Sequence, residues 1–368
     1  MTIETGVLER YSQGAESIQA DLCCPVDYDR KLLALLPQEI IDKDYGCGDP
    51  SRYVQSGDVV LDLGSGSGKI CYMAAQLVGS TGKVIGVDMN DDMLALARKY
   101  QPEMAEKLGS DRVEFVKGQI QDLALDLAAM NRHLAEHPVH RAEDVIALRA
   151  WQEQQRKEQP LIKDNSVDLV VSNCVLNLVH DSDKGQLIRE IFRVVKPGGR
   201  VAISDIVSDE PVPQHLKDLW SGCISGALQE HEFLQAFIAA GFVAVGFDKW
   251  EGQPWQVVEG IEFRAVTITA IKPHDEPCLD KGHAVIYRGP FAKVYDDEGH
   301  VFMRGQRIAV CERSYNLLTG AAYADQFIGI APAQEKTPQN WCHAPGALRP
   351  VSETKGSAHK ADSGPCCC

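Results

Sequence analysis

Apolar residues recur along this chain first at helical spacing, then in short runs, and the change of period marks its organisation. Over the first 50 residues, ETGVLERYSQ is polar-periodic and RKLLALLPQEIIDK carries apolar residues at helical spacing up to a breaker, YGCGDP. Short β-branched runs follow: DVVLDL, KVIGVD, RVEFVKG, VDLVVSNCVLNL and RVAISDIV. Helical stretches separate them, among them ICYMAAQLVG, DDMLALARKYQPEMAEKLG and KGQLIREIFRVVKPGG. Strands alternating with helices predict βαβ units, a mostly parallel sheet and a ligand crevice at the strands' C-terminal ends. Residues 123–160 interrupt the rhythm as two amphipathic helices split at Pro138. DLWSGCISGALQEHEFLQAFIAAGF reads as one helix, and FVAVGFDKW and FRAVTITAIK complete a seven-stranded sheet. The expected organisation is a helical cap over 1–50, an α/β domain over 51–273 with its insertion at 123–160, a small β-rich domain over 274–330, and a disordered tail over 331–368. The β-rich domain follows from HAVIYRG, KVYDDEGHVFMRG and RIAVCERS, with DDEG as a hairpin turn.

Composition narrows the class. The chain has 368 residues, 44% hydrophobic and 24% charged, with 37 basic against 52 acidic residues and a net charge of −15. These values describe a globular protein of about two domains. So acidic a chain has no general attraction for phosphate backbones, so no nucleic-acid partner is expected. No run of 18 apolar residues appears, so no membrane span is expected. The segment MTIETGVLERYSQG does not read as a secretory signal, which points to a cytoplasmic setting. There, structural disulfides are rare, and twelve cysteines point to a soft metal or metalloid, or to redox chemistry.

The stretch Val59-Val-Leu-Asp-Leu-Gly-Ser-Gly-Ser-Gly68 runs from a strand through closely spaced glycines into a helix. It is not a phosphate P-loop, because Leu63 stands where a glycine is needed and Ile70 follows the lysine. Nor do Gly64, Gly66 and Gly68 fit the dinucleotide spacing cleanly. The form D-x-G-x-G-x-G resembles the first motif of class I S-adenosylmethionine-dependent methyltransferases, a Rossmann-like α/β fold. The resemblance implies that the loop turns beneath the methionine part of the cofactor, with Asp62 near its ammonium group. Asp88 ends the second strand, where a carboxylate can bond both ribose hydroxyls. Gly118-Gln119-Ile120 would flank the adenine, and Met89 and Asn173 would join the cofactor site.

The cysteines suggest the acceptor. Cys47 lies in a loop before the first strand, Cys71 opens the helix after the glycine loop, Cys174 ends the fourth strand, and Cys223 sits in LWSGCISG. Cys71 and Cys174 are expected to face the crevice. No C-x-x-C pair occurs among these four, so a local zinc knuckle is not indicated. Thiolates gathered from distant segments suit a soft acceptor. Trivalent arsenic prefers three sulfurs in a trigonal pyramid, leaving its lone pair free to attack a methyl sulfonium. The YGCGDP loop, Cys71, GVDMN, SNCVLNLV and LWSGCISGAL together resemble arsenite methyltransferases. That resemblance implies arsenic ligation by Cys174 and Cys223 with Cys71 as third sulfur, or Cys47 exchanging with it. It also implies roles for Cys47 and Cys71 in the first methylation and in thiol relay.

The expected activity is methyl transfer from S-adenosylmethionine to arsenite, giving methyl-, dimethyl- and in further steps trimethylarsenicals, as arsenic detoxification. Thiol reductants such as glutathione or thioredoxin would sustain turnover. Two alternatives stand beside it: a small-molecule C- or O-methyltransferase of the same fold, and a non-enzymatic thiol-rich metalloid-binding protein. Cys23, Cys24, Cys278, Cys311 and Cys342 read as ordinary structural thiols, and Cys366, Cys367 and Cys368 as a candidate arsenite-capturing tail.

Overall fold

A computed structural model describes residues 3–16, 26–218, 222–323, 325–334 and 336–355. Cys23, Cys24 and Cys366–Cys368 lie outside the described residues. The chain divides into two compact units, 1–273 and 274–368.

In the first unit, α1 (Ile3–Glu16), α2 (Arg30–Leu33) and α3 (Gln38–Asp42) precede the sheet. Next come β1 (Val59–Leu63), α4 (Lys69–Leu77), β2 (Lys83–Asp88), α5 (Asp91–Lys99), α6 (Gln101–Leu108) and β3 (Val113–Lys117). The insertion forms α7 (Leu127–Glu136) and α8 (Ala142–Glu158), and β4 (Val167–Asn173), α9 (Asp181–Val194) and β5 (Val195–Ser208) resume the alternation. α10 (Gln214–Asp218), β6 (Leu228–Gln229), α11 (Glu230–Ala239), β7 (Val243–Trp250), β8 (Gln256–Val258) and β9 (Ile261–Ile271) complete the unit.

The main strands run in the order β3-β2-β1-β4-β5-β9-β7, with the short β6 and β8 pairing β5 and β9 off that path. β1 to β5 are parallel, and β9 and β7 are antiparallel additions at one edge. The sheet is therefore the expected mostly parallel one of class I methyltransferases, with two short strands that sequence periodicity misses. Val60, Leu61, Leu63, Leu169, Val170 and Val171 are fully buried, because helices cover both faces of a parallel sheet. α5 starts sharply where the Asn90 side chain accepts hydrogen bonds from the N–H groups of Asp92 and Met93, at 2.9 and 3.1 Å. That cap fixes where β2 ends and so where Asp88 emerges.

One expected helix is broken. DLWSGCISGALQEHEFLQAFIAAGF is not continuous: among its described residues, α10 ends at Asp218, 222–227 form turns, and helix resumes at Glu230. Gly222 has φ +109°, and a Cβ on Gly226 would lie 1.8 Å from the Asn177 carbonyl oxygen. Close backbone approach, rather than helical propensity, decides this segment. The insertion helices bury no residue fully; they are tied down by the Arg156–Asp122 ion pair at 2.9 Å and a His133–Trp151 ring stack. None of the described helices is long and apolar enough to cross a membrane.

The second unit contains β10 (Leu279–Asp280), β11 (Ala284–Tyr287), β12 (Lys293–Tyr295), β13 (Val301–Met303), β14 (Arg307–Ala309), α12 (Glu312–Leu318), β15 (Phe327–Ile330) and β16 (Gln339–Asn340). β11 is central between β14 and β15, and β12–β13 is a hairpin. Val285, Phe302, Ile308, Val310 and Leu318 form its core. The expectation of disorder from residue 331 is corrected as far as residue 355. β16 pairs with β10, Arg349 bridges Asp280 at 2.7 Å, and Arg307 donates to Thr354 Oγ1 at 2.7 Å. A proline- and lysine-rich composition conceals these few long-range anchors.

Candidate active site

The glycine loop is shaped by two different needs. A Cβ on Gly64 would lie 2.4 Å from Val175 Cγ1, whereas Gly66 has room around it but a φ of +50°. Gly64 thus permits close approach, and Gly66 supplies left-handed backbone. With the turn so set, the Gly66 N–H donates to Asp88 Oδ2 and the Asn90 N–H to Asp88 Oδ1, both at 2.8 Å. Burial pushes the Asp88 carboxyl above its usual range, and these backbone donors pull it back. Asp62 lies beneath the loop; burial raises its pKa to about 7, partly offset by a hydrogen bond from the Cys71 thiol at 3.2 Å.

These residues border a cavity of roughly 1020 Å³, including its open mouth. Asp62, Ser65, Asp88, Met89, Ile120 and Asn173 line it, together with Val7, Leu8 and Tyr11 from α1. Ser65 Oγ is buried without a hydrogen-bond partner within the protein. An orphaned hydroxyl, the buried Asp62 carboxylate, the part-buried Asp88 carboxylate and a glycine-rich turn fit a polar ligand with an ammonium group and a diol.

Two expected cofactor residues are placed elsewhere. Gln119 is not among the lining residues; its carbonyl closes a tight turn onto the Asp122 N–H at 3.0 Å, and Gln121 lines the cavity instead. Gly68 also stands off the cavity, its φ of +86° starting α4 against Phe115. Asn173 lines the cavity, yet most of its capacity is spent on the preceding loop. Its Oδ1 accepts from the N–H groups of Cys47 and Gly48 at 2.8 and 2.9 Å, and its Nδ2 donates to the Gly48 carbonyl at 2.9 Å. Gly46 and Gly48 make that embrace possible, since Cβ atoms there would lie 2.0 Å from Asn173 Nδ2 and 2.3 Å from Ser204 Oγ.

The embrace delivers Cys47 to Cys174, and the two form a disulfide with a Cα–Cα distance of 5.7 Å. Cys174 also lines the cavity and holds a left-handed φ of +59°, an unusual conformation for a residue with a Cβ. Cys223, half-buried on its glycine turn, joins the same apolar cluster as Cys47 and Cys174; its carbonyl accepts from Asn177 Nδ2 at 3.2 Å.

Cys71 is placed apart. It belongs to the core cluster around α4, is fully buried, and is absent from the cavity lining. Its thiol packs over β2, where a Cβ on Gly86 would lie 2.8 Å from the sulfur. Burial and the neighbouring Asp62 carboxylate push that thiol well above its ordinary pKa. The expectation that it faces the crevice is corrected by helix phase: Ile70, one residue earlier, takes the lining position.

Sequence reasoning passed over Asp205. Its carboxylate lies within 4.8 Å of the Cys47 and Cys174 sulfurs. Burial raises its pKa to about 6, against the pull of hydrogen bonds from the N–H groups of Ile206 and Asn177. A lone acid inside the apolar strand RVAISDIV was the available signal. Tyr11 was passed over as well; its half-buried phenol is pushed up in pKa by desolvation and then by Cys223.

Comparison with known proteins bears on this arrangement. A methyltransferase domain model matches residues 54–138 and 150–241, and a model of a domain of unknown function matches 274–359. The arsenite methyltransferase of Aquipseudomonas alcaligenes is 32% identical over 341 residues, covering 86% of this chain and 87% of its own. The chain belongs to the arsenite methyltransferase family. The human arsenite methyltransferase is 29% identical over 328 residues, covering 84% of this chain and 76% of its own. The crystal structure of an arsenic(III) S-adenosylmethionine methyltransferase from Chlamydomonas reinhardtii superposes with a TM-score of 0.58 at 28% identity, covering 86% of this chain and all of that one. In this chain the disulfide-bonded Cys174 marks where the thiol cluster meets the cavity.

Proposed function

We propose that this protein methylates trivalent arsenic with S-adenosylmethionine, converting arsenite into methyl- and dimethylarsenicals as a detoxification step. The observation that carries the reading is Cys174, which lines the cavity beside the glycine loop while sharing an apolar cluster with Cys47 and Cys223. When bound, the cofactor supplies an electrophilic methyl sulfonium. The chain's residues would hold the two reactants: Asp62 would meet the ammonium group, Asp88 the ribose diol, and Ile120 and Gln121 the adenine. Cys174 and Cys223 hold arsenic, and Cys47 is the third sulfur favoured by this geometry. No base is needed, because the nucleophile is the arsenic lone pair. The apolar walls of Ile206, Val212 and Phe263 exclude water and leave positioning as the main contribution.

Methyl attachment oxidises arsenic by two electrons, and closing a disulfide from two thiolates returns it to the trivalent state. The Cys47–Cys174 bridge is the product such a step leaves. Arsenic binding then requires its reduction: two external thiols, such as those of glutathione or thioredoxin, are oxidised to one disulfide and restore two cysteine thiols. Cys71 is assigned to thiol exchange, for which its sulfur must leave Asp62 and the start of α4 must open. A cytoplasmic setting suits this demand for reduced thiols. Incubation with arsenite, S-adenosylmethionine and glutathione, followed by chromatographic speciation, tests the proposal. Methyl- and dimethylarsenicals are expected, and unmethylated arsenite alone would overturn it.

A further inference from the structure

The second unit contains a thiol pair with no part in the site above. Cys278 and Cys311 are both free; Cys311 is buried, and Cys278 is half-exposed. Two contacts bring their segments together, and a third ties Cys278 to Trp341. The Val310 N–H donates to the His283 carbonyl at 3.3 Å, Lys281 pairs with Glu312 at 2.6 Å, and the Trp341 N–H holds the Cys278 carbonyl at 3.0 Å. Burial raises the pKa of the Cys278 thiol, and the Cys311 thiol is close enough to add to that rise. Cys311 is itself fixed at the start of α12, its sulfur accepting from the Ser314 N–H at 3.4 Å. The pair remains two thiols in a structure that bridges Cys47 to Cys174. Arg313 lies close enough to favour the thiolate form of Cys278, against burial, which opposes it more strongly.

Two adjacent sulfurs, one anchored and one reachable from solvent, make a chelating dithiol. The anchored sulfur makes the second bond an intramolecular event, which raises affinity well above that of either thiol alone. We propose that Cys278 and Cys311 bind mono-organic trivalent arsenicals, a second arsenic site lying in the C-terminal unit. In binding methylarsonous acid, two As–O bonds break and two As–S bonds form. Each thiol proton leaves with a hydroxide as water, and arsenic keeps its oxidation state. Two sulfurs complete the coordination of an arsenic that already carries one carbon, so the methylated intermediate fits better than arsenite. The choice of ligand rests on the proposed function; the pairing of the thiols does not.

The test uses the full chain, with phenylarsine oxide as probe and excess glutathione to strip single-thiol adducts. Bound arsenic per chain is counted for the parent and for Cys278→Ser, Cys311→Ser, the double variant and Cys342→Ser. The expected result is a loss of one equivalent in each of the first three and none in Cys342→Ser, with arsenite methylation at saturation unchanged throughout. Serine at 311 keeps an acceptor for the helix start, and the half-exposed Cys278 tests the pair independently of Cys311 packing. Parent stoichiometry in both single variants, or two equivalents lost in the double variant, would overturn the proposal. Absent methylation with the one-equivalent loss intact would instead count against the proposed function alone.

Discussion

The two halves of the site are built in opposite ways. The cofactor half is largely local: Asp62, the glycine loop and Asp88 lie within 27 residues of sequence, in one strand–helix–strand unit. The thiol half is assembled from distant segments, with 127 residues separating Cys47 from Cys174. The local half is held by backbone hydrogen bonds from Gly64 and Ser65 to the Val87 carbonyl and by the Asp88 carboxylate one residue on. The assembled half hangs on single side chains, with Asn173 bonding both Cys47 and Gly48. Substitutions in the two halves should therefore fail differently.

The sharpest break should come at Cys174. Cys174→Ser keeps the size and loses the soft ligand, so methylation of both arsenite and methylarsenite should fall to background, while calorimetry shows unchanged cofactor affinity. Near-normal turnover on methylarsenite would remove Cys174 from the ligand set. Cys47→Ser should divide the substrates. A methylarsenical needs only two sulfurs, so rates should collapse on arsenite and survive in part on methylarsenite; equal losses would show that Cys47 does not act as the third ligand.

On the local side the expected effect is smaller. Asp88→Ala removes the acceptor for the Gly66 and Asn90 N–H groups and the proposed partner of the ribose diol. A charged hydrogen bond of this kind is worth roughly 1.5–3 kcal/mol, or about ten- to a hundredfold in cofactor affinity. Arsenic binding, followed by tryptophan fluorescence, should hardly move. An arsenic affinity that falls in parallel would show the halves to be coupled through the loop.

The same contrast explains what could be read in the sequence. The alternation of periods shows the sheet, and the glycine loop shows the cofactor side, because its left-handed backbone at 64, 66 and 68 demands glycine at alternate positions. Contacts made at long range were not legible. Nothing near Gly226 announces that the Asn177 carbonyl occupies the space of its Cβ, so helical spacing was carried through a turn. Cys71 was expected at the crevice from its place after the loop, but one residue of helix is about 100° of rotation, and the cavity took Ile70. The ordered course of 336–355 depends on Arg349 reaching Asp280, 69 residues away. Asp205 was legible in principle, since an acid within an apolar strand must be answered by something buried.

The smallest effect concerns pH and belongs to Asp62. Its pKa, raised to about 7 by burial, means that the free site is largely protonated below neutrality. A cofactor ammonium group prefers the carboxylate, so binding must expel that proton. Affinity should then rise with pH up to the free-site pKa and level off above it, by about tenfold in all between pH 6 and pH 8. Calorimetry in buffers of different ionisation enthalpy should register close to one proton released per cofactor at pH 6 and almost none at pH 8. Asp62→Asn cannot ionise, so it should bind more weakly and flatten the profile. A wild-type profile already flat across this range would mean that the ammonium group is met elsewhere, leaving Asp62 as the acceptor that keeps the Cys71 thiol in place.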